Sequence, residues 1–170
     1  MAFAMELYFD KLAESRIRSA WSELSAASLP TWPLRIGARP HISILVVDSA
    51  LRADIDEVFR SISVEPFRIT FSSADHFNID DAILFLKPDA SKELRRLHDR
   101  AVVVAQSRGL MPRHSGDEWV PHCTCDYRIS QKEVSVGLAI LKRFLPLEAR
   151  VEEIGSVEVT PESVHQIEQK

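Results

Sequence analysis

The chain has 170 residues, of which 45% are hydrophobic and 27% charged, and this balance suits one globular domain with a real core. Its formal net charge of −4 at pH 7 excludes a protein that coats long double-stranded nucleic acid, because such proteins cluster Lys and Arg against the phosphates. The longest aliphatic run, residues 44–47, is far too short to cross a membrane.

The two cysteines and the first ten residues indicate the compartment. Cys123 and Cys125 are separated by one residue, and strand neighbours at that spacing are poorly placed to form a disulfide with each other. Residues 1–10 carry neither a basic stretch nor a long apolar core, so no signal peptide is predicted. We therefore expect a cytoplasmic protein that does not contact membranes. Separately, we expect it to be a monomer.

The first half of the chain alternates strand and helix patterns. Residues 3–9 alternate as a strand does, and Asp10 is placed to cap the helix that follows, in which apolar residues recur at helical spacing from Ala13 to Ala27. A proline-punctuated loop leads into a β-branched strand at residues 41–48. A short helix is then predicted over residues 55–62, and a strand over residues 67–71.

The second half repeats this order. Residues 82–86 predict a strand, and helical spacing over residues 94–104 predicts a helix with Gly109 at its C-cap. Residues 119–127 predict the next strand, residues 134–145 a helix, and residues 149–159 a last strand.

Both halves thus read strand–helix–strand–helix–strand, which indicates an internal duplication with its joint near residues 76–82. The predicted fold is α+β, a bilobal duplicated β-α-β-α-β architecture with pseudo-twofold symmetry and a central cleft. It would form a single domain over residues 1–170, with lobe one at about 1–78 and lobe two at about 79–170. Ordinary α+β alternation without duplication is the alternative.

Each half carries one copy of a Pro-His-x-Ser/Thr pattern, PHIS at residues 40–43 and PHCT at residues 121–124. Each copy follows a long loop and begins a predicted strand. Alternation along a strand puts the histidine and the hydroxyl residue on one face and the residue between them on the other. The four side chains predicted to converge on the cleft are His41, Ser43, His122 and Thr124.

With these motifs the sequence resembles the 2H phosphoesterases, which include 2′-5′ RNA ligase-like proteins and cyclic nucleotide phosphodiesterases. The resemblance runs from the strand at residues 3–9 to about residue 160. It implies that His41 and His122 are the catalytic pair and that Ser43 and Thr124 bind the phosphate. Cys125 departs from the aliphatic residue common after the second motif, which affects packing more than chemistry.

The resemblance also implies the reaction. A metal-independent phosphodiesterase of this kind would hydrolyse 2′,3′-cyclic or 2′-5′-linked nucleotide or RNA phosphates without a cofactor, and reversal would ligate RNA ends. The chemistry agrees, since a histidine titrates near neutral pH and a pair of them can serve as base and acid on opposite sides of phosphorus. Hydroxyl groups can stabilise the non-bridging oxygens where charge builds up. Which histidine is the base is left open.

Weaker candidates surround the motifs. Arg39 and Arg113 lie in the loops before the two histidines and could hold further phosphates, although solvated loop charge is the simpler interpretation. Trp119 and Tyr127 flank the second motif and could stack on a base, or pack into the core or its rim. Asp126 could orient a histidine or end the strand.

Two rival functions remain. The first is a metal site, built from the metal-capable residues His114, His122, Cys123, Cys125 and Asp126. Alternation sets the cysteines opposite His122 and no C-x-x-C spacing occurs, so we predict no metal. The second is a non-catalytic module that binds a nucleotide or an RNA end in the same cleft. Pure binding does not need two groups poised for proton transfer, so we expect an enzyme whose partner is a small nucleotide or RNA-end phosphoester substrate.

Overall fold

The computed structural model describes residues 2–78, 81–160 and 164–170. Seven strands lie within these residues: β1 Ala2–Phe9, β2 His41–Val47, β3 Phe67–Phe77, β4 Ala82–Pro88, β5 Cys123–Ile129, β6 Leu147–Val159 and β7 Val164–Gln169. The helices are α1 Lys11–Ala26, α2 Trp32–Arg35, α3 Arg52–Ser61, α4 Lys92–Ser107 and α5 Gln131–Lys142, with a 3-10 turn at Gly116–Glu118.

The first strand shows how alternation divides core from cleft. The odd-numbered side chains of β1, from Phe3 to Phe9, join the apolar core. Ala2, Ala4 and Glu6 instead line a cavity on the opposite face. The small side chains of Ala2 and Ala4 leave room above the strand, so β1 forms the floor of the cleft.

All strand pairs are antiparallel, and the sheet runs in the order β2-β1-β6-β3-β4-β5, with β7 on the outer part of β6. The order is symmetric, because each half supplies its first two strands to one side and its third strand to the other. The pseudo-twofold architecture predicted from the sequence is therefore confirmed. The lobe boundary expected near residue 78 separates the two sequence repeats, but strand pairing crosses it. Strand β3 pairs with β4, and β6 pairs with β1.

The helix pairs also combine the two halves of the chain. Helix α1 packs against α5 and helix α3 packs against α4, so each helix pair takes one member from each half. One apolar cluster includes residues from both helix pairs and from the sheet. No helix in the described part of the chain is long and apolar enough to cross a membrane.

Several element boundaries differ from the sequence prediction. Strand β3 continues to Phe77, six residues beyond the predicted end, because its polar second part pairs with β4. Helix α5 ends at Lys142, so Leu145 lies in the turn before Pro146 rather than in the helix. The short helix α2 and the strand β7 were not predicted.

Candidate active site

The two motif strands carry equivalent β-bulges. In β2 the pairing passes from Leu45 opposite Met5 to Ser43 opposite Glu6, and Ile44 has no partner residue. In β5 it passes from Asp126 opposite Leu84 to Thr124 opposite Phe85, which skips Cys125. Each skipped residue lies three positions after its motif histidine, so the duplication extends to local backbone geometry.

The bulged strands are the two ends of the sheet, and they contact each other. The residues between and after the motif positions, Ile42 and Ile44 in one strand and Cys123 and Cys125 in the other, are fully buried. The motif histidines and hydroxyl residues are half-buried. A cavity of about 340 Å³ lies along this junction, and its walls include Glu6, His41, Ser43, Arg113, Thr124 and Tyr127.

The two histidines are held by the same hydrogen bond. His41 Nδ1 lies 2.7 Å from the carbonyl oxygen of Arg39, and His122 Nδ1 lies 2.7 Å from that of Val120. A carbonyl oxygen only accepts, so Nδ1 is the donor in both rings. This bond fixes the ring orientation and leaves each Nε2 for chemistry.

His41 faces a buried carboxylate. Its Nε2 lies 3.3 Å from Oε1 of Glu6, whose side chain is 5% exposed. The phenol of Tyr8 donates to the other carboxylate oxygen at 2.9 Å. Glu6 sits opposite Ser43 and Tyr8 opposite His41, so cross-strand pairing places all four side chains on the cavity face of the sheet.

His122 has apolar neighbours instead. Its ring meets Phe77 edge-on with centroids 5.0 Å apart, and Phe85 at a tilt with centroids 5.2 Å apart. Burial lowers the pKa of His122 below its ordinary value, and the nearby His41 and His114 act in the same direction. His122 is not among the residues that line the cavity, whereas Thr124 from the same motif is.

Of the two arginines predicted to bind substrate, only Arg113 lines the cavity, where it pairs with Asp48. Arg39 turns away, with Nε 2.6 Å from Glu14 and Nη1 2.8 Å from Glu153. Its guanidinium also lies 4.3 Å from the centre of the Tyr8 ring. The geometry thus gives Arg39 a structural place behind the site, because two carboxylates already neutralise it.

The two aromatic candidates, Tyr127 and Trp119, have different surroundings. Tyr127 lines the cavity and stacks on Trp32 with centroids 5.6 Å apart. Trp119 is 8% exposed, stacks on His98 with centroids 4.1 Å apart and donates from Nε1 to the carbonyl oxygen of Ser43. Its faces are therefore occupied by packing, and the interpretation of Trp119 as core is the one that fits the geometry.

Asp126 neither orients a histidine nor ends its strand. The bulge at Cys125 turns it from the cavity face, and its buried carboxylate accepts from the backbone N–H groups of Thr31 at 2.7 Å and Trp32 at 3.0 Å. Burial raises the pKa of Asp126, against the effect of these hydrogen bonds. Asp126 thus anchors α2 beside the cavity, while Tyr127 takes the position that alternation alone gave to Asp126.

The cysteines lie on the core side of β5, as the strand pattern predicts. Burial raises the pKa of Cys123 to about 12, although its thiol meets the backbone N–H of His41. Burial also raises the pKa of Cys125. Within residues 2–78, 81–160 and 164–170, no three His, Cys, Asp or Glu side chains are grouped as metal ligands would be.

Three residues around the histidines were not predicted from the sequence: Glu6, Phe77 and Phe85. The signal for Glu6 was a lone carboxylate in the otherwise apolar segment of residues 3–9. Phe77 and Phe85 carried no comparable signal, because each looks like an ordinary strand residue until the pairing register places it against His122.

Several solved structures share this fold. The complex of LigT from E. coli with 3′-AMP superposes with a TM-score of 0.63 and 15% identity, covering 100% of this chain and 98% of that chain. The complex of Usb1 from Kluyveromyces marxianus with uridine monophosphate gives a TM-score of 0.53 and 14% identity, covering 97% and 96%. TT0787 of Thermus thermophilus gives a TM-score of 0.61 and 15% identity, covering 99% and 96%.

No curated protein matches the chain by sequence. The family model described as the 2′-5′ RNA ligase superfamily matches residues 12–160. The match includes both His-x-Ser/Thr motifs, while Glu6 lies before it. On this match the chain belongs to the 2′-5′ RNA ligase superfamily, the 2H phosphoesterases.

Proposed function

We propose that the protein is a metal-independent phosphodiesterase that acts on 2′,3′-cyclic or 2′-5′-linked phosphates of nucleotides or RNA ends. The observation that carries the proposal is the equivalence of His41 and His122. Both rings donate from Nδ1 to the carbonyl two residues earlier and both precede a hydroxyl residue by two positions, on facing strands. One ring can then take a proton from water while the other gives one to the leaving ribose oxygen.

The cavity supplies the rest of the proposed site. Ser43 and Thr124 would donate to the non-bridging phosphate oxygens, where charge builds up in the transition state. Arg113 would add a positive charge at the wall, and Tyr127 an aromatic face for a base. Arg39 and Trp119 are not included, since their polar groups are engaged elsewhere. Reversal of the reaction would join RNA ends.

The substrate class is supported by what the similar structures hold. LigT was solved with 3′-AMP and with NADP+, and Usb1 with uridine monophosphate. A cavity of about 340 Å³ is of the size that binds a small organic ligand. A mononucleotide or the terminal nucleotide of an RNA therefore fits the proposal better than a long duplex.

The test is a panel of 2′,3′-cyclic nucleotides and 2′-5′-linked dinucleotides, assayed in the presence of EDTA. His41→Ala and His122→Ala should each reduce kcat by roughly 100-fold or more, since each removes one proton-transfer group. The matched control is His76→Ala, because His76 lies on β3 outside the cavity wall and pairs with Asp75.

Three outcomes would contradict the proposal. Undiminished turnover in either histidine variant would contradict the role of His41 and His122 as an acid–base pair. Loss of activity in the presence of EDTA would contradict the claim that the reaction needs no metal. Binding of the panel by wild-type protein without any turnover would favour the non-catalytic module.

A further inference from the structure

The two halves of the site differ at one pair of equivalent positions. Glu6 lies opposite Ser43 in the β1–β2 pair, and Phe85 lies opposite Thr124 in the β4–β5 pair. The bulges are equivalent, so Glu6 and Phe85 occupy equivalent positions. One motif histidine therefore faces a carboxylate where the other faces a phenyl ring.

The surroundings of His41 favour its protonated form. Its Nδ1 donates to the carbonyl oxygen of Arg39, and its Nε2 faces the carboxylate of Glu6 at 3.3 Å. The carboxylate forms an ion pair with the ring only when Nε2 carries a proton, and a negative charge this close favours the doubly protonated ring. Tyr8 already donates to the second oxygen of Glu6, which holds the carboxylate in place.

The surroundings of His122 favour a different protonation state. Its Nδ1 donates to the carbonyl oxygen of Val120, and its ring packs against Phe77 and Phe85. Burial lowers the pKa of His122, with a contribution from the nearby His41. The neutral ring, with a free electron pair on Nε2, is the state that this environment favours.

We propose that Glu6 is a positioning residue that keeps His41 protonated as the general acid and thereby leaves His122 as the general base. This inference rests on the proposed function. In hydrolysis of a cyclic phosphodiester, water would attack phosphorus and lose a proton to His122 Nε2. The bond from phosphorus to the ribose oxygen would break, and that oxygen would take the proton from His41 Nε2. Proton exchange with solvent would restore both rings.

The 3.3 Å separation suits this role. A charge-assisted N–H···O bond is ordinarily shorter, at about 2.7–2.9 Å, so Glu6 does not hold the proton of His41 tightly. Glu6 and His41 both line the cavity, and a substrate oxygen there can compete for the proton. A carboxylate at this wall also disfavours a dianionic monoester product relative to a monoanionic diester substrate.

Other charged groups near His41 do not reproduce the effect of Glu6. Arg39 is neutralised by its two carboxylate partners, and Arg113 is a cation, which would disfavour the protonated ring rather than favour it. The titratable or charged groups around the site are Glu6 and Tyr8 on β1, Glu14 on α1, Arg39 before β2, Arg113 and His114 before β5, His122 and Cys123 at the start of β5, and Glu153 on β6.

The test compares Glu6→Gln with wild type, because the amide keeps the shape of the side chain and removes its charge. In ¹⁵N spectra of the histidine rings at neutral pH, wild-type His41 should show two protonated nitrogens and His122 one. In the variant, His41 should lose the proton on Nε2. We also expect kcat/KM to fall about tenfold, part of the roughly 10²–10⁴-fold that a positioned acid contributes, with the alkaline limb of its pH profile moved to lower pH.

The spectra do not depend on turnover, so they separate failure of this inference from failure of the proposed function. Glu6→Asp retains the charge and should retain the protonation of His41. Glu153→Gln removes a carboxylate that faces Arg39 instead, and should leave the ring spectrum of His41 unchanged. A neutral His41 in the wild-type spectrum, which requires no variant to fold, would overturn the inference. So would a loss of activity in Glu6→Gln that is uniform across pH.

Discussion

The phenyl rings around His122 determine how the proposed activity should respond to acid. Burial lowers the pKa of His122 from its ordinary value of 6.5, so the ring stays neutral to a lower pH than a solvated histidine does. The base is active when neutral. The acid limb of the kcat/KM profile should therefore lie below pH 6.5 in the wild type.

Phe77→Ala tests this directly. Removing the ring admits water to His122, relieves the burial that lowers its pKa and should move the acid limb to higher pH. Phe144→Ala is the matched control, since Phe144 is also half-buried but lies after α5, away from the site. An acid limb that stays in place in Phe77→Ala would contradict this account of the His122 environment.

Individual residues of the site were predictable to different degrees. His41, Ser43, His122 and Thr124 were found because each motif is local and strand alternation is a local rule. Glu6 was not, because its contact with His41 depends on the register between two strands and on a bulge.

Trp119 shows the same limit. A tryptophan beside the second motif suggests base stacking, but His98 covers its ring in the fold. That contact joins α4 to a loop, and no local pattern records it.

At the scale of elements, Asp10 connects the start of α1 to β6. Its Oδ1 accepts from the N–H groups of Leu12 and Ala13, each at 3.1 Å, and its Oδ2 accepts from that of Arg150 at 2.7 Å. Burial alone would raise the pKa of Asp10, but the backbone hydrogen bonds outweigh it and the pKa is lowered. The cap predicted from the sequence is thus confirmed, with an added cross-element partner.

Asp10→Ala should lower the free energy of unfolding by about 1–2 kcal/mol at neutral pH. A lowered folded pKa means that the charged form contributes stability above the unfolded pKa of 3.8, and that this contribution is lost as the pH falls through the folded value. The difference between wild type and variant, measured by urea unfolding, should therefore shrink in acid. Asp10→Asn keeps a capping oxygen and should cost less. An equal cost at every pH would contradict the role of the charge.

The longer elements followed from apolar periodicity, whereas the missed ones depend on distant partners. Helix α2 has only four residues and takes its cap from Asp126, 95 positions away. The polar second part of β3 lacks the alternation of a strand and is held by its ladder with β4. In each case the stabilising contact is absent from the local sequence.

At the scale of the whole molecule, the second half of the chain covers the open edge of β2. The carbonyl oxygen of Ile44, left unpaired by the bulge, accepts from His98 Nδ1 at 2.9 Å. The neighbouring carbonyl of Ser43 accepts from Trp119, and that of Val46 from the backbone N–H of Arg113. The edge strand that carries His41 is therefore closed by groups from the other half.

His98→Phe should lower the free energy of unfolding by about 1–3 kcal/mol, since it keeps an aromatic ring against Trp119 but leaves a buried carbonyl unsatisfied. Burial lowers the pKa of His98, so its contribution is present above the unfolded pKa of 6.5 and is lost as the pH falls through the folded value. The variant should lack that pH dependence in thermal unfolding. Val103→Ala, at an exposed position of the same helix, should change stability by less than about 0.5 kcal/mol. A His98→Phe variant as stable as wild type would show that the edge contact contributes nothing.

The third strand of each half lies beside the first two strands of the other half. This arrangement determines when the sheet can form during synthesis. Met5 in β1 pairs with Ser156 in β6, which the ribosome adds long after β1. Until then β1 has only β2 beside it, and a two-stranded ribbon is marginal in water. The part of the sheet around β1 should therefore be completed only after β6 has emerged from the ribosome.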